Sequence, residues 1–260
     1  MPRPDDELAF LLRSDNRTEI LAALCEAGPL DRYELESRVD ASRRTVTRIV
    51  GALTERGYLA ERDGGYVATA FGSAIADAYD DYRRTADLAD AYRPVLGHLD
   101  SDRLPVDPEL LRGAELTLAS ETSPYALLDR VLQLRSSATT IREMAPSVEA
   151  KSVAQLAERV GSEPALDVEV ILPASAIEEA ASHPEYAEAH AATRESDAVE
   201  LYAYPEPFGF MLGRLGETGA LAVGVDGRPH ALVESTDPEF LSWIEDRLAE
   251  FRREATPVTG

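Results

Sequence analysis

The segment Ala41-Ser42-Arg43-Arg44-Thr45-Val46-Thr47-Arg48-Ile49-Val50-Gly51-Ala52-Leu53 has the spacing of a two-faced helix. At about 100° per residue, Val46, Ile49, Val50 and Leu53 (i, i+3, i+4, i+7) fall on one side, as a core-facing helix requires. The opposite side carries Arg44, Arg48 and Gly51, flanked by Thr45 and Thr47. That side offers guanidinium forks, hydroxyls and little bulk. Ser42 stands where a helix N-cap is expected, and the amides behind it are free to receive a phosphate.

The flanking segments fix the context of this helix. Asn16-Arg17-Thr18-Glu19 opens an earlier helix with Ile20, Leu21 and Leu24 on one side, closed by Gly28-Pro29. Asp31-Arg32-Tyr33-Glu34 has the form of a capping box and starts a short helix reaching about Val39. A turn around Asp40 leads into the two-faced helix. Beyond Gly57, the runs Tyr58–Arg62 and Tyr66–Thr69 flank Asp63-Gly64-Gly65, a strong hairpin signal that puts Arg62 near a loop tip. Helix, helix, turn, helix and hairpin, in that order from Ser14 to Thr69, spell a winged helix-turn-helix. In that fold the outer face of the third helix lies in a DNA major groove and the wing reaches a phosphate. The expected DNA contacts are Ser42, Arg43, Arg44, Thr45, Thr47, Arg48 and Arg62.

The net charge of −22 argues against a polyanionic partner until its distribution is considered. Residues 71–260 hold −19 of it, and residues 1–70 only −3. Residues 42–62 carry five Arg against two Glu, so the locally basic segment is the one expected to meet DNA. Lys151 is the only lysine among 26 basic residues, set against 48 acidic ones. Dense carboxylates with little lysine fit a salt-loving archaeon, where molar salt screens their repulsion. Cys25, beside Leu21 and Leu24, is expected to be a small buried hydrophobe with neither disulfide nor metal partner. No run approaches 18 apolar residues, and the N-terminus lacks a basic-then-apolar signal. The expectation is a cytoplasmic protein without a membrane partner.

Thr69 is placed to cap a long helix from Ala70 to about Tyr92, striped with Phe71, Ile75, Ala78, Tyr82, Ala89 and Tyr92. Such a stripe pairs with another helix, in cis or across a dimer. Pro94 ends or kinks it, and Asp100 to Gly113, with Pro105 and Pro108, reads as a linker with one helical turn. From Ala114 strands and helices alternate. Strands are expected over Glu115–Ala119, Thr139–Met144, Leu166–Leu172, Val199–Tyr204, Phe208–Leu215, Leu221–Val225 and His230–Glu234. Helices are expected over Pro124–Ser136, Ser147–Val160, Ser175–His190 (broken at Pro184) and Pro238–Arg253. The fold class is therefore α+β overall: a winged helix-turn-helix, a long linker helix, and an α/β domain with a mixed sheet, parallel first and antiparallel late. The expected division is 1–69 for DNA binding, 70–112 for helix and linker with dimerisation, and 113–260 for an effector-binding or regulatory domain. The closing helix is a second expected dimer contact.

The N-terminal third resembles the winged helix-turn-helix of archaeal regulators related to the ArsR and TrmB groups. The segment from about Ala114 to Phe251 resembles the C-terminal sensor domain of archaeal methanogenesis and filamentation regulators. The local match is Pro207-Phe208-Gly209-Phe210 running into Leu221-Ala222-Val223-Gly224-Val225-Asp226. The resemblance implies a homodimeric transcription regulator of double-stranded DNA with a distal domain that takes a small effector; the residues themselves equally allow a domain that serves only as a dimerisation or protein-docking scaffold. It transfers no ligand motif and no cofactor. The domain's fold also resembles that of phospholipase D, whose chemistry needs a His-x-Lys pair. None of His98, His183, His190 or His230 stands two residues before Lys151, and no Gly-x-Ser-x-Gly, Ser-x-x-Lys or phosphate loop occurs. No catalytic or metal residues are expected; His183 and His190 read as surface residues. Arg142, Glu143, Tyr204, Glu206 and His230 are the candidate pocket residues, with Arg142 and His230 foremost for an anionic effector.

Overall fold

The computed structural model describes residues 4–120, 125–162, 165–182 and 196–258. The chain divides into two compact units, Met1–Asp87 and Leu88–Gly260.

The first unit opens with a helix that the sequence reading missed, α1 (Pro4–Leu12), which seats Leu11 at 0% exposure in the core. Then follow α2 (Asp15–Ala27), α3 (Arg32–Arg38) and α4 (Arg43–Glu55). Gly28 closes α2 at φ +76°, a conformation glycine adopts without steric cost. The capping box at α3 is complete: Asp31 Oδ1 accepts the Glu34 amide at 2.8 Å, and Glu34 Oε2 accepts the Asp31 amide at 2.8 Å. The wing is β1 (Leu59–Arg62) paired antiparallel with β2 (Gly65–Ala68), Arg62 facing Gly65. Its two-residue turn, Asp63 at φ 51° and Gly64 at φ 83°, has the left-handed backbone that matches strand twist. A bridge between Leu30 and Tyr66 adds a third segment to this small sheet. Ile20, Leu21, Leu24, Leu35, Val46, Ile49, Val50 and Leu53 form the core with Tyr58.

α5 (Ala70–Ala91) starts where Thr69 Oγ1 accepts the Gly72 amide at 3.0 Å. Its stripe is only partly used. Gly72 and Ala76 are buried, whereas Phe71 is 45% and Tyr82 52% exposed. Cys25 corrects an expectation: it is exposed, because the apolar arc of α2 ends at Leu21 and Leu24 and the thiol faces Ser73 at 3.9 Å. Burial nonetheless raises its pKa, and Asp77, Asp80 and Glu26 add to that.

The second unit is a two-sided eight-stranded sheet in the order β10-β6-β5-β4-β7-β8-β9-β3. Its strands are β3 (Glu115–Leu118), β4 (Thr140–Met144), β5 (Asp167–Pro173), β6 (Val199–Tyr204), β7 (Phe210–Leu215), β8 (Thr218–Val225), β9 (Arg228–Ser235) and β10 (Thr256–Pro257). β4, β5 and β6 run parallel, and β4-β7-β8-β9 antiparallel. β3 departs from the parallel-first expectation: it lies at the far edge, antiparallel to β9. The helices are α6 (Arg93–Leu96), α7 (Ala126–Ser137), α8 (Ala150–Ser162), α9 (Ala174–Ser182) and α10 (Pro238–Glu254). Alternate residues of each strand feed two cores. Met144, Ile171, Tyr202, Leu212, Leu221 and Val233 pack with Phe240, Ile244 and Leu248 of α10. Ile141, Val168, Val170, Met211 and Leu232 pack on the other side with Leu127 and Val131 of α7 and Leu156 of α8.

Two expectations change here. The stretch from Asp100 to Gly113 is packed structure rather than a bare linker: Leu104 and Leu111 are 1% and 0% exposed in the α10-side core, and Pro108–Leu111 form a 3-10 turn. α10 spends Phe240, Ile244, Leu248 and Phe251 on that same core and buries Leu241 as well, which leaves the half-buried Trp243 as the large apolar side chain it offers to a second copy. Pro124, His183, Pro184 and His190 lie outside the described residues. Among the described residues, no helix is long and apolar enough to cross a membrane.

Candidate functional site

α4 divides as its sequence requires. Val46, Ile49, Val50 and Leu53 are at most 1% exposed, whereas Arg44, Thr47, Arg48 and Gly51 are exposed on the outer side. Ser42 Oγ accepts the Thr45 amide at 3.3 Å and lies 2.9 Å from the Thr45 hydroxyl, so these two side chains build the cap. Arg43, itself exposed, faces the part-buried Glu36 of α3 at 3.5 Å, a long pair of little energetic weight. Arg44 and Arg48 point outward one turn apart, and Arg62 ends β1 beside the wing turn.

Three further arginines, absent from the expected set, join them. Burial lowers the pKa of Arg17, and the positive fields of Arg48, Arg56 and Arg13 lower it further. These four cations therefore share one neighbourhood. Phe10 organises two of them: the guanidinium carbons of Arg17 and Arg56 each lie 4.1 Å from its ring centroid. Arg56 also meets Glu7 at 3.3 Å, and Tyr58 donates to the same carboxylate. Arg13 and the half-buried Arg17 thus bring positive charge from α4 toward the α1–α2 corner, where Glu7 offsets Arg56. The sequence signal was present in Arg13, Arg17 and Arg56, but without α1 nothing gathered them.

Gly51 sits on the outer face with nothing within 4 Å of where a Cβ would stand. Gly51→Ala is therefore expected to stabilise the first unit by about 1 kcal/mol, because glycine is the poorer helix former. Chemical denaturation checks this, and an unchanged or lower midpoint would show a contact that this geometry lacks.

The second unit holds a cavity of about 940 Å³ on the α7–α8 side of the sheet. Val170, Leu172, Leu201 and Met211 form its floor, with Leu128, Val131 and Val153 on the helices above. Inside lies a buried ion pair. Arg135 Nε donates to Glu143 Oε2 at 2.9 Å and Nη2 to Oε1 at 2.5 Å, with the two residues 4% and 2% exposed. Of the expected pocket residues, the cavity lining includes Glu143 and His230, the latter with its ring 4.7 Å from that of His98. Arg142 lies on the opposite face of β4, bound to Asp167, which raises its pKa. Tyr204 donates to Glu254 at 2.9 Å and is buried among Phe208 and Phe251. Glu206 pairs with Arg103. Arg142 and His230 are therefore not one anion site. Alternation along β4 separates Arg142 from Glu143, and this was already implicit in the strand period.

A winged helix-turn-helix joined to a two-sided α/β unit with an open cavity on one side of its sheet has the build of a regulatory protein. Residues 124–254 match the family described as methanogenesis regulatory protein FilR1, middle domain, and the chain belongs to that family. Residues 5–91 match the family described as the HVO_A0261 N-terminal domain. No curated protein matches the sequence. Among solved structures, the archaeal chromatin protein TrmBL2 aligns over 97% of this chain and 99% of its own, with 13% identity and a TM-score of 0.44. The phospholipase D family member Nuc from Salmonella typhimurium aligns over 56% of this chain and 99% of its own, with 14% identity and a TM-score of 0.43.

Proposed function

We propose that this chain is a homodimeric, sequence-specific DNA-binding transcription regulator whose second unit takes a small effector in the cavity beside Arg135 and Glu143. The observation that carries the reading is the outer face of α4. Arg44 and Arg48 are exposed, and Arg13 and Arg17 add positive charge near Arg48 in a chain of net charge −22. Under this reading Arg44 and Arg48 reach base edges, while Arg62 positions the wing on a phosphate. Ser42, Thr45 and Arg43 hold the helix end and its flank, and Thr47 stands beside the base-reading pair. Arg44→Ala and Arg48→Ala are each expected to cost about 1–3 kcal/mol and to relax discrimination at particular base positions. Arg62→Ala weakens binding evenly across sequences. Selection of operator sequences followed by footprinting checks this, and unchanged affinity and pattern in both α4 variants would reject the interface.

The dimer reading rests on α5, where Phe71 and Tyr82 are large, exposed and on one stripe with Ile75 and Ala78. Symmetric regulators read two half-sites about one helical turn, or a multiple of it, apart. Light scattering in molar potassium chloride is expected to show a dimer, and Phe71→Glu with Tyr82→Glu to yield monomers. A wild-type monomer at micromolar concentration would remove α5 from this role. The molar salt belongs to the same proposal: a cytoplasmic setting in a salt-loving archaeon, in which the carboxylate-rich surface of the second unit stays hydrated.

A further inference from the structure

With 48 acidic residues against 26 basic ones, carboxylates outnumber the cations that they can pair with. In the second unit Arg103, Arg130, Arg142, Arg214 and Arg252 each take one. The first unit behaves differently. Arg43, Arg56 and Arg84 are paired, whereas Arg13, Arg17 and Arg48 meet no carboxylate among the described residues. Local geometry draws these three together. Phe10 of α1 carries both Arg17 and Arg56, each guanidinium carbon 4.1 Å from the ring centroid. Arg17 also donates to the Phe10 carbonyl, which fixes its head at the end of α1. Arg13 stands in the turn between α1 and α2, four residues before Arg17. Arg48, on the exposed side of α4, is near enough for its field to be felt at Arg17, as are Arg13 and Arg56. Glu7 is already engaged, by Arg56 and by the Tyr58 hydroxyl.

Arg48 indicates which anion belongs here. It lies on the α4 face read above as facing the groove, and the major groove is about 12 Å wide and walled by phosphates. Cations gathered round a side chain seated in that groove stand at its wall rather than over its floor. Repulsion among Arg13, Arg17 and Arg48 is unfavourable in the free protein, and a phosphate lying between them relieves it through charge-assisted hydrogen bonds. We infer that Arg13 and Arg17 form a phosphate site at the α1–α2 corner, which grips the DNA backbone at the edge of the groove that α4 enters. This rests on the DNA-binding reading above and adds a contact that neither the helix-turn-helix nor the wing supplies. It also gives α1 a purpose beyond packing. Phe10 holds the Arg17 head in place before DNA arrives, so less side-chain freedom is lost on binding.

The experiment uses the full chain and its selected operator, with affinity followed from about 0.3 to 1 M potassium chloride. Each phosphate contact contributes about −0.9 to the log–log salt slope. Arg13→Gln and Arg17→Gln are each expected to flatten that slope by about one. Each should also weaken operator and unrelated DNA alike, by about three- to tenfold at the lowest salt. Ethylation interference locates the contact: phosphates at the edge of the α4 footprint whose modification blocks the wild type should cease to matter in Arg13→Gln. An unchanged slope with unchanged interference in that variant would overturn the inference. So would a change from dimer to monomer in light scattering with the slope unaltered, which would assign the corner to the acidic surface of a second copy. The base-reading face is scored separately. Arg44→Ala and Arg48→Ala alter which bases are preferred, whereas Arg13→Gln leaves the preference intact, so either site can fail alone. A wild-type chain that binds no DNA would remove both. Should Arg17→Gln fail to fold, Arg13, exposed and outside every helix, decides alone.

Discussion

Glu143→Leu is expected to destabilise the second unit by about 3–5 kcal/mol, the largest effect of any single substitution considered for it. The variant strips Arg135 of both its acceptors at a position 4% exposed, leaving a cation between the sheet and α7 with nothing to balance it. Removing both partners is a different matter. Arg135→Leu with Glu143→Leu replaces a desolvated pair by apolar side chains and is expected to lie within about 1 kcal/mol of wild type, because the pair's attraction mainly repays its own desolvation. Guanidinium denaturation followed by circular dichroism measures both variants. A single variant as stable as the double one would mean that Arg135 finds another acceptor or swings to solvent.

The second large effect belongs to the first unit. Gly72→Ala puts a methyl group 2.1 Å from the Tyr58 carbonyl oxygen and within 3.1 Å of three Tyr58 backbone atoms. An alanine inside a helix ordinarily gains about 1 kcal/mol over glycine. Here the obstacle is backbone, fixed by the Thr69 amide on the same oxygen at 2.9 Å, and it has no rotamer with which to withdraw. α5 must then lift from the start of the wing, at a cost of about 3 kcal/mol or more. Thermal unfolding of the first unit reports it. Opposite outcomes for Gly51→Ala and Gly72→Ala, two helical glycines twenty-one positions apart, would separate propensity from packing.

Much of this architecture is legible in the sequence, because local chemistry dominates there. Asp31 and Glu34 announce their capping box, Asp63-Gly64 its turn, and the spacing of Val46, Ile49, Val50 and Leu53 its buried face. Every strand from β3 to β9 lies within about two residues of its expected place at the N-terminal end or overlaps it, apart from the longer reach of β8. What stayed hidden depends on contacts distant in sequence. α1 carries too few residues for its period to stand out, and its purpose appears only when Leu11 and Phe10 meet Tyr58. The segment around Leu104 and Leu111 looks like a linker because prolines and aspartates outnumber its apolar residues, yet two leucines suffice to anchor it. Arg135 falls within the expected helix Pro124–Ser136 with no mark of its own in the sequence; only the sheet beneath shows that it points at Glu143. A candidate site assembled from residues on β4, β6, β9 and the β6–β7 loop could not be sorted by face without the register.

The last strand has a consequence for how the chain keeps its own company. β6 would otherwise end the sheet with six residues of bare backbone donors and acceptors, the kind of margin on which unrelated chains polymerise. β10 lies along part of it, pairing Thr256 with Ala203 and Pro257 with Tyr202, and the Val258 amide reaches Leu201. Proline has no amide hydrogen to offer outward, so the new margin is both short and chemically blunt. The other margin, β3, is four residues long and starts with a glutamate. A few residues after α10 thus act as a selvedge, and a version of the protein ending at Ala255 would expose β6 as a template for fibrous association at high concentration.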